Sequence, residues 1–532
     1  MHLTRRDFLG GTAALTVGLA MGSPARAQST DTIRMGMGAA QVATIDPIFL
    51  TQGVDNWAIT HVFDLLARAP LGRYASSPDE FVPELAESWT ISPNAEVWTF
   101  KIRQGAQFHK GYGECTAEDV KFSFDRVRDP KQGSGSAILY SNVAKVEAPD
   151  KYTVVITLKK PDPFFMSSLI HNTASNIVSK KAVEEKGEGF ARDPIGTGPY
   201  QIVSVDPKNV KLTINDKYWG PKANIPNIEV QYILDTSARA LAILGNQVDM
   251  ILAPAGPGAI NSITQKNPKL ILDVALPGNS WSVAFNLNHK PFDNLKVRQA
   301  FMYAINKDDI RNSLTPATPR VFGLNPPSFP GALTDANCPK DLRYDYNPDK
   351  AKQLLAEAGF PNGFTFPAIC SERDDYSSLM LILQEQLRQV GVTMDLKLED
   401  HATFHSDALK DLCNFTMRGG SYAPVPTQAF ANELAGPGNV QPDGKGHGNN
   451  FAHYGVAMPG IDDLLGQTMA EPDLTKRLAL CQQIDTKILT DLPLISLCTT
   501  AFVVIRNPRL DIGFKLDSGL GYWRLNQAKF VA

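Results

Sequence analysis

The chain has 532 residues, 43% hydrophobic and 20% charged, with 40 glycines, 37 prolines and six cysteines. That is ordinary globular composition, which excludes a disordered chain, a collagen-like repeat and a disulfide mini-scaffold. The formal net charge of −3 argues against nucleic acid as a partner, and a single core rarely grows past roughly 250–300 residues, so two or more lobes are expected.

In chain order, the first 27 residues read as an export leader. Arg5 and Arg6 form a basic start, Leu9 to Met21 are mildly apolar, and Ala25-Arg26-Ala27 fits an A-x-A cleavage site. The apolar run is too short and too weak to span roughly 30 Å of hydrocarbon. Thr4-Arg5-Arg6-Asp7-Phe8-Leu9 resembles the twin-arginine export signal, an address read by a receptor. Cleavage after Ala27 predicts a soluble bacterial protein in the periplasm. An oxidising compartment permits disulfides, and cysteines 115, 338, 370, 413, 481 and 498 leave zero to two bridges plus buried thiols as the expectation.

Beyond the leader, strands and amphipathic helices alternate irregularly. Val97 to Arg103 and Val392 to Leu398 alternate with period two and predict half-buried strands, and Tyr152 to Leu158 is a β-branched run. Thr116-x-x-Asp119 forms a capping box before the apolar face Val120, Phe124 and Val127. Asn347 caps a helix that Pro348 opens and Gly359 stops. Leu379 to Val390 is a helix closed by Gly391 that feeds the Val392 strand, as in a doubly wound lobe. Helices are also expected over 298–310 and 474–489, and little regular structure from Pro424 to Gly460.

Motifs for chemistry are mostly missing. His401 and His405 sit at i, i+4, but HExxH is absent and no further ligand follows, so a solvated helix start outweighs a metal site. Gly196-Thr-Gly198-Pro199 has a proline where a phosphate-binding helix needs an N–H, and reads as a turn. Gly133-Ser-Gly135-Ser reads as a flexible loop, and no spacing supports a catalytic triad. His447 and His453 read as loop histidines near a pocket rim rather than nickel contacts.

Seven strings do stand out: PELAESW at 83–89, WTFKIRQGAQFHKG at 98–111, TAEDVKFSF at 116–124, PIGTGPY at 194–200, NDKYWG at 215–220, FNLNHKPFDNLKVRQAFMYAIN at 285–306 and YNPDKAKQLLAEAGF at 346–360. In this order they resemble the family 5 extracellular solute-binding proteins, the peptide-, nickel- and opine-type receptors of ABC importers. The resemblance implies an α/β clamshell of two lobes (type II, cluster C) with an extra subdomain on lobe I. Lobe I would be 28–283 with its subdomain at about 70–195, lobe II 284–500, and 501–532 would return to lobe I. It implies a monomer without cofactor or enzymatic activity, whose partners are a small solute and the permease subunits. The alternatives are a twin-arginine-exported enzyme and a nickel or metal-chelate receptor on the same fold.

Site candidates follow from the same resemblance: Asn56 and Trp57 in the loop after ATIDP, Trp281 and Ser282 near the hinge, and Gly420, Ser421 and Tyr422 at a lobe II strand end. Arg373 and Arg418 are candidates for a ligand carboxylate. Trp57 and Trp281 are equally readable as core, and Gly419-Gly420 as a turn. Peptide-binding members usually carry an Asp in the segment matching 414–430; here no Asp or Glu occurs from Leu412 to Asn432. A buried ammonium without a counter-ion costs several kcal/mol. A neutral polar or anionic solute is therefore expected, such as an opine, a sugar conjugate or a modified peptide.

Overall fold

The protein is described by a computed structural model covering residues 30–50, 53–75, 78–253, 258–313, 320–421, 424–444, 448–517 and 523–531. The export leader and Tyr422 and His447 lie outside these residues.

Apolar side chains gather in two large cores. One is built from residues between Ile33 and Met250 together with Val504 to Ala528, the other from residues between Trp281 and Cys498. Two long strands, Ile271–Phe285 and Leu494–Arg506, run antiparallel to each other and join them. The ladder holds from Ile271 to Ala275, slips, and resumes at Asn279. Pro277, which has no N–H to donate, and Gly278 fall in the slip, so the backbone bonds are interrupted where the two halves meet. Around this pair an eight-stranded sheet runs Phe415–Gly420, Ile271–Phe285, Leu494–Arg506, Met250–Leu252, Thr32–Met37, Asn227–Tyr232, Asn209–Ile214, Tyr200–Asp206.

A four-stranded antiparallel sheet, Ala86–Ile91, Val97–Ile102, Thr153–Leu158 and Val143–Asp150, packs on the helix Ala117–Arg128. That helix starts at the expected box, with Asp119 Oδ2 accepting from Thr116 N at 3.0 Å. In the other half, Phe364–Ser371 and Val392–Glu399 pair in parallel across the helix Asp374–Arg388, a βαβ unit. The tail returns to the first core: Arg524 meets Asp64 at 2.7 Å and Glu84 at 2.6 Å, and Leu525 N donates to His61 Nε2 at 3.0 Å. Burial holds His61 down at about pH 4, so its ring is neutral and free to accept.

Three expectations need correction. The 298–310 helix is two, Leu295–Ala304 and Lys307–Ser313, because Ile305 is extended and Asn306 Oδ1 accepts from the Asp308 and Asp309 N–H groups as a new cap. Asn56 and Trp57 are not in a loop but open the helix Asn56–Val62. The helix read from Leu379 begins at Asp374, since its first turn is polar and carries little periodic signal. Pro424 to Gly460 holds little regular structure, as expected, with Pro426 opening the one α-helix among its described residues, Pro426–Glu433.

Candidate functional site

The strand Phe415–Gly420 pairs with the long strand so that Gly420 faces Ser280, Gly419 faces Trp281 and Arg418 faces Ser282. Gly419 and Gly420 are therefore ladder residues and not a turn. A Cβ on Gly419 would stand 2.6 Å from the Trp281 ring, so glycine here makes room for an indole. Trp281 is 3% exposed; its Nε1 donates to Thr500 Oγ1 at 3.1 Å, and its ring meets Tyr376 edge to face at 5.1 Å. It is both core and wall of the site.

The Arg373 guanidinium packs on Tyr376. Arg373, 51% exposed, lies over the ring at 5.6 Å and donates from Nε to Asp375 at 3.0 Å. Its Nη1 also lies 3.1 Å from His401 Nε2, and His401 Nδ1 lies 2.9 Å from Ser371 Oγ. A guanidinium has no lone pair to offer, so Nε2 is the acceptor and the Nδ1–H donates to the serine. Burial and the neighbouring Arg373 both push His401 toward this neutral form. His405, whose ring is 4.4 Å from that of His401, is pulled down to about 4 by burial and then by His401, Arg418 and Arg373. His401 opens the helix His401–Leu409, as expected, with both rings half-exposed, and at neutral pH the His405 imidazole is uncharged.

Arg418 donates to Gly419 O at 3.1 Å and stands 3.5 Å from Glu433, a carboxylate only 5% exposed. Glu433 lies one residue past the acid-free window, at the last position of Pro426–Glu433, which turns the acid back toward the strand end. Ser421 Oγ donates to Asn279 Oδ1. Ser282 is buried in the ladder. Trp281, Arg373, Arg418, Gly420 and Ser421 thus come together with Tyr376, His401 and Glu433, which sequence reading did not place there. The i, i+4 spacing of His401 and His405 was the one available signal.

Asn56 and Trp57 belong elsewhere. Trp57 is fully buried in the first core, its ring 6.3 Å from that of Trp523. Asn56 accepts from Thr173 Oγ1 at 2.7 Å and lines a cavity of about 160 Å³. Asp55, an alternative acid for a ligand ammonium, accepts from Ala43 N, Thr44 N and Tyr232 Oη and is committed to the fold. His453 is not a rim residue but is buried against Asp411 at 2.7 Å. Gly198 N donates to Val62 O at 2.9 Å, a turn packed on backbone rather than a phosphate cradle. Gly133 is left-handed, and Ser134 beside it is buried and donates to Ile48 O at 2.7 Å. All six cysteines are buried, unbridged thiols. Among the described residues no group of three or more His, Cys, Asp or Glu is placed to hold a metal, and no helix is long and apolar enough to cross a membrane.

Residues 80–442 match the family described as bacterial extracellular solute-binding proteins, family 5. The glutathione-binding protein GsiB of Shigella flexneri serotype 5b is 34% identical over 324 residues, 59% of this chain and 61% of that protein. The chain thus spans about three fifths of the length of the curated relatives it matches. MoaA of A. tumefaciens R10, solved with mannopinic acid, superposes with a TM-score of 0.82 at 29% identity, covering 94% of this chain and 100% of that one. DppA of Helicobacter pylori, solved with the peptide STSA, shares the fold at a TM-score of 0.78 and 23% identity, over 94% and 98% of the two chains. By fold and by sequence, this chain belongs to the family 5 bacterial extracellular solute-binding proteins.

Proposed function

We propose that the protein is the periplasmic substrate-binding subunit of an ABC importer, which captures a small polar solute between two lobes and delivers it to the membrane permease. The lobes are 28–283, carrying a subdomain at about 70–195, and 284–500, with 501–532 returning to the first. Two separate cores joined by two strands with a slipped ladder support that division. Closure needs only a few kcal/mol of differential contact, made when both lobes touch the solute. No bond is made or broken in this role, so the protein is not an enzyme and works as a monomer without cofactor.

The solute is neutral or anionic. One observation carries this: the guanidinium of Arg373 lies over Tyr376, Arg418 stands near the end of the strand Phe415–Gly420, and no acid lies between 412 and 432. A ligand ammonium placed beside two guanidiniums is repelled, and the carboxylates at hand, Asp375 beside Arg373 and Glu433 beside Arg418, are already engaged by them. The named ligands of two relatives, glutathione and mannopinic acid, are net anions through two carboxylates, although each also carries one amine nitrogen. Protein purified from the periplasm, screened by thermal shift with opines, dipeptides, nickel and oligosaccharides, tests the reading. A solute at 100 Kd stabilises by about 2.7 kcal/mol. An acidic opine or sugar–acid conjugate is expected to register. Submicromolar dipeptide binding that N-acetylation abolishes would show an ammonium site and overturn the solute class. A stoichiometric flavin, haem or molybdenum centre would overturn the receptor reading in favour of an enzyme. Export through the twin-arginine route is tested by Arg5→Lys with Arg6→Lys, which is expected to abolish it.

A further inference from the structure

The cavity beside Asn56 sits wholly in the first half, lined from residues 56–74, Glu84, 170–176, Trp523 and Arg524. At about 160 Å³ it has room for a group of several heavy atoms rather than one or two waters. Its charges cancel internally. Arg68 stands 3.3 Å from Glu84, Arg524 holds Glu84 and Asp64, and Arg73 pairs with Glu80. No arginine in the wall is left to seek an anion.

Its neutral polar groups are only half used. Asn172 Oδ1 accepts from Ala174 N at 2.8 Å, so its amide orientation is set and Nδ2 has two protons without a partner among the described residues. Asn56 spends Oδ1 on Thr173 in the same way. Asn176 does the reverse: Nδ2 donates to Thr173 O at 2.7 Å and Oδ1 remains. His171 Nδ1 donates to Ser167 O at 2.9 Å, which makes Nε2 a lone-pair acceptor, and that atom is buried without a partner among the described residues. Burial pulls His171 down to about 4, so the ring stays neutral. Two donors and two acceptors therefore remain, beside the half-buried indole of Trp523.

We propose that this cavity is a second ligand compartment, separate from the Arg373–Arg418 cluster, and takes a neutral polyhydroxylated group. A hydroxyl both donates and accepts, so a polyol satisfies amide nitrogens and acceptor atoms together, while its C–H faces lie against an indole. A carboxylate would leave the two acceptors facing an anion, and an ammonium the two amide donors facing a cation. Tyr74, another wall of the cavity, also meets Phe329 of the second half edge to face at 6.2 Å, so filling the compartment bears directly on the contact between halves. The proposal rests on the solute-binding reading and names part of the solute.

The test uses the full mature chain and D-sorbitol, a linear hexitol, read by saturation-transfer NMR; thermal shift is avoided because polyols stabilise proteins by exclusion. Saturable transfer to sorbitol is expected, with none to putrescine or glutarate at the same concentration. Trp523→Leu and Asn172→Leu are each expected to weaken sorbitol at least tenfold. If Asn172→Leu fails to fold, Asn172→Asp keeps the acceptor for Ala174 N while deleting the amide donor, and the same loss is expected. No saturable transfer, equal transfer to the charged probes, or unchanged affinity in the variants overturns the compartment. Native mass spectrometry of the periplasmic protein separates the two readings. A captured solute without sorbitol contact removes the compartment alone, and absence of both removes the solute-binding reading with it.

Discussion

Arg477 lies over the ring of Phe164 with its guanidinium carbon 4.2 Å from the centroid, and its Nη1 is 3.8 Å from Asp162. The two sides come from different halves: Phe165 and Met166 belong to the first core, Cys481 and Ile484 to the second. Arg477 Nη2 also donates to Thr427 Oγ1 at 3.3 Å, at the start of the helix that ends in Glu433. The same side chain thus touches the opposite lobe and the helix behind the strand-end site.

Contacts present only when the halves meet add to solute affinity. Phe164→Leu removes the ring under a buried guanidinium, a contact worth about 0.5–2 kcal/mol. Solute affinity is expected to fall about twofold to thirtyfold, mainly through faster release in stopped-flow measurements. Unchanged release would show that this contact does not hold the closed form.

Gly419→Ala places a methyl 2.6 Å from the Trp281 ring, inside contact distance. The indole is expected to shift, lose its bond to Thr500 and change in tryptophan fluorescence, with a stability cost of about 1–3 kcal/mol. Wild-type fluorescence and unfolding midpoint in the variant would show that the ring yields freely.

Glu433→Gln takes the carboxylate from beside Arg418. Selectivity for an anionic over a neutral solute is expected to rise several-fold in calorimetry, with a lower unfolding midpoint because a half-buried guanidinium loses its counter-charge. An unchanged anionic-to-neutral ratio would mean that Arg418 does not act on the solute.

Asp485 is fully buried, accepts from Leu324 N at 3.0 Å through Oδ1, and lies against the Leu333 backbone. Burial raises its carboxyl to about 7, against the usual 3.8. With the folded value above the unfolded one, its stabilising proton is fully bound below about pH 4, and stability falls as pH rises to about 7. Asp485→Asn keeps the acceptor for Leu324 and carries no charge. It is expected to be more stable than the parent at pH 8, by up to the order of 4 kcal/mol, with the difference shrinking toward pH 4. Parallel pH–stability curves for the two proteins would contradict this.

What the sequence determined by itself is local. The box at Thr116 and Asp119, the cap at Asn347 with the stop at Gly359, and the strand alternation of 97–102 and 392–399 all form as read. Each depends on hydrogen bonds or side-chain direction within a few residues, which a linear pattern carries. The family was legible for a related reason, since its strings mark turns, caps and core faces in a set order. The site was legible only in part. Nothing local distinguishes Trp57, sunk in a core, from Trp281, which lines the strand end, because burial is decided by what packs on a residue from elsewhere in the chain. Gly419 reads as a turn until the ladder puts Trp281 opposite it. Glu433 stands outside an acid-free window in sequence, yet a helix of eight residues brings its carboxylate to Arg418, fifteen positions earlier. Charge acts through space at a few ångströms, and only the tertiary structure sets which charges are that close.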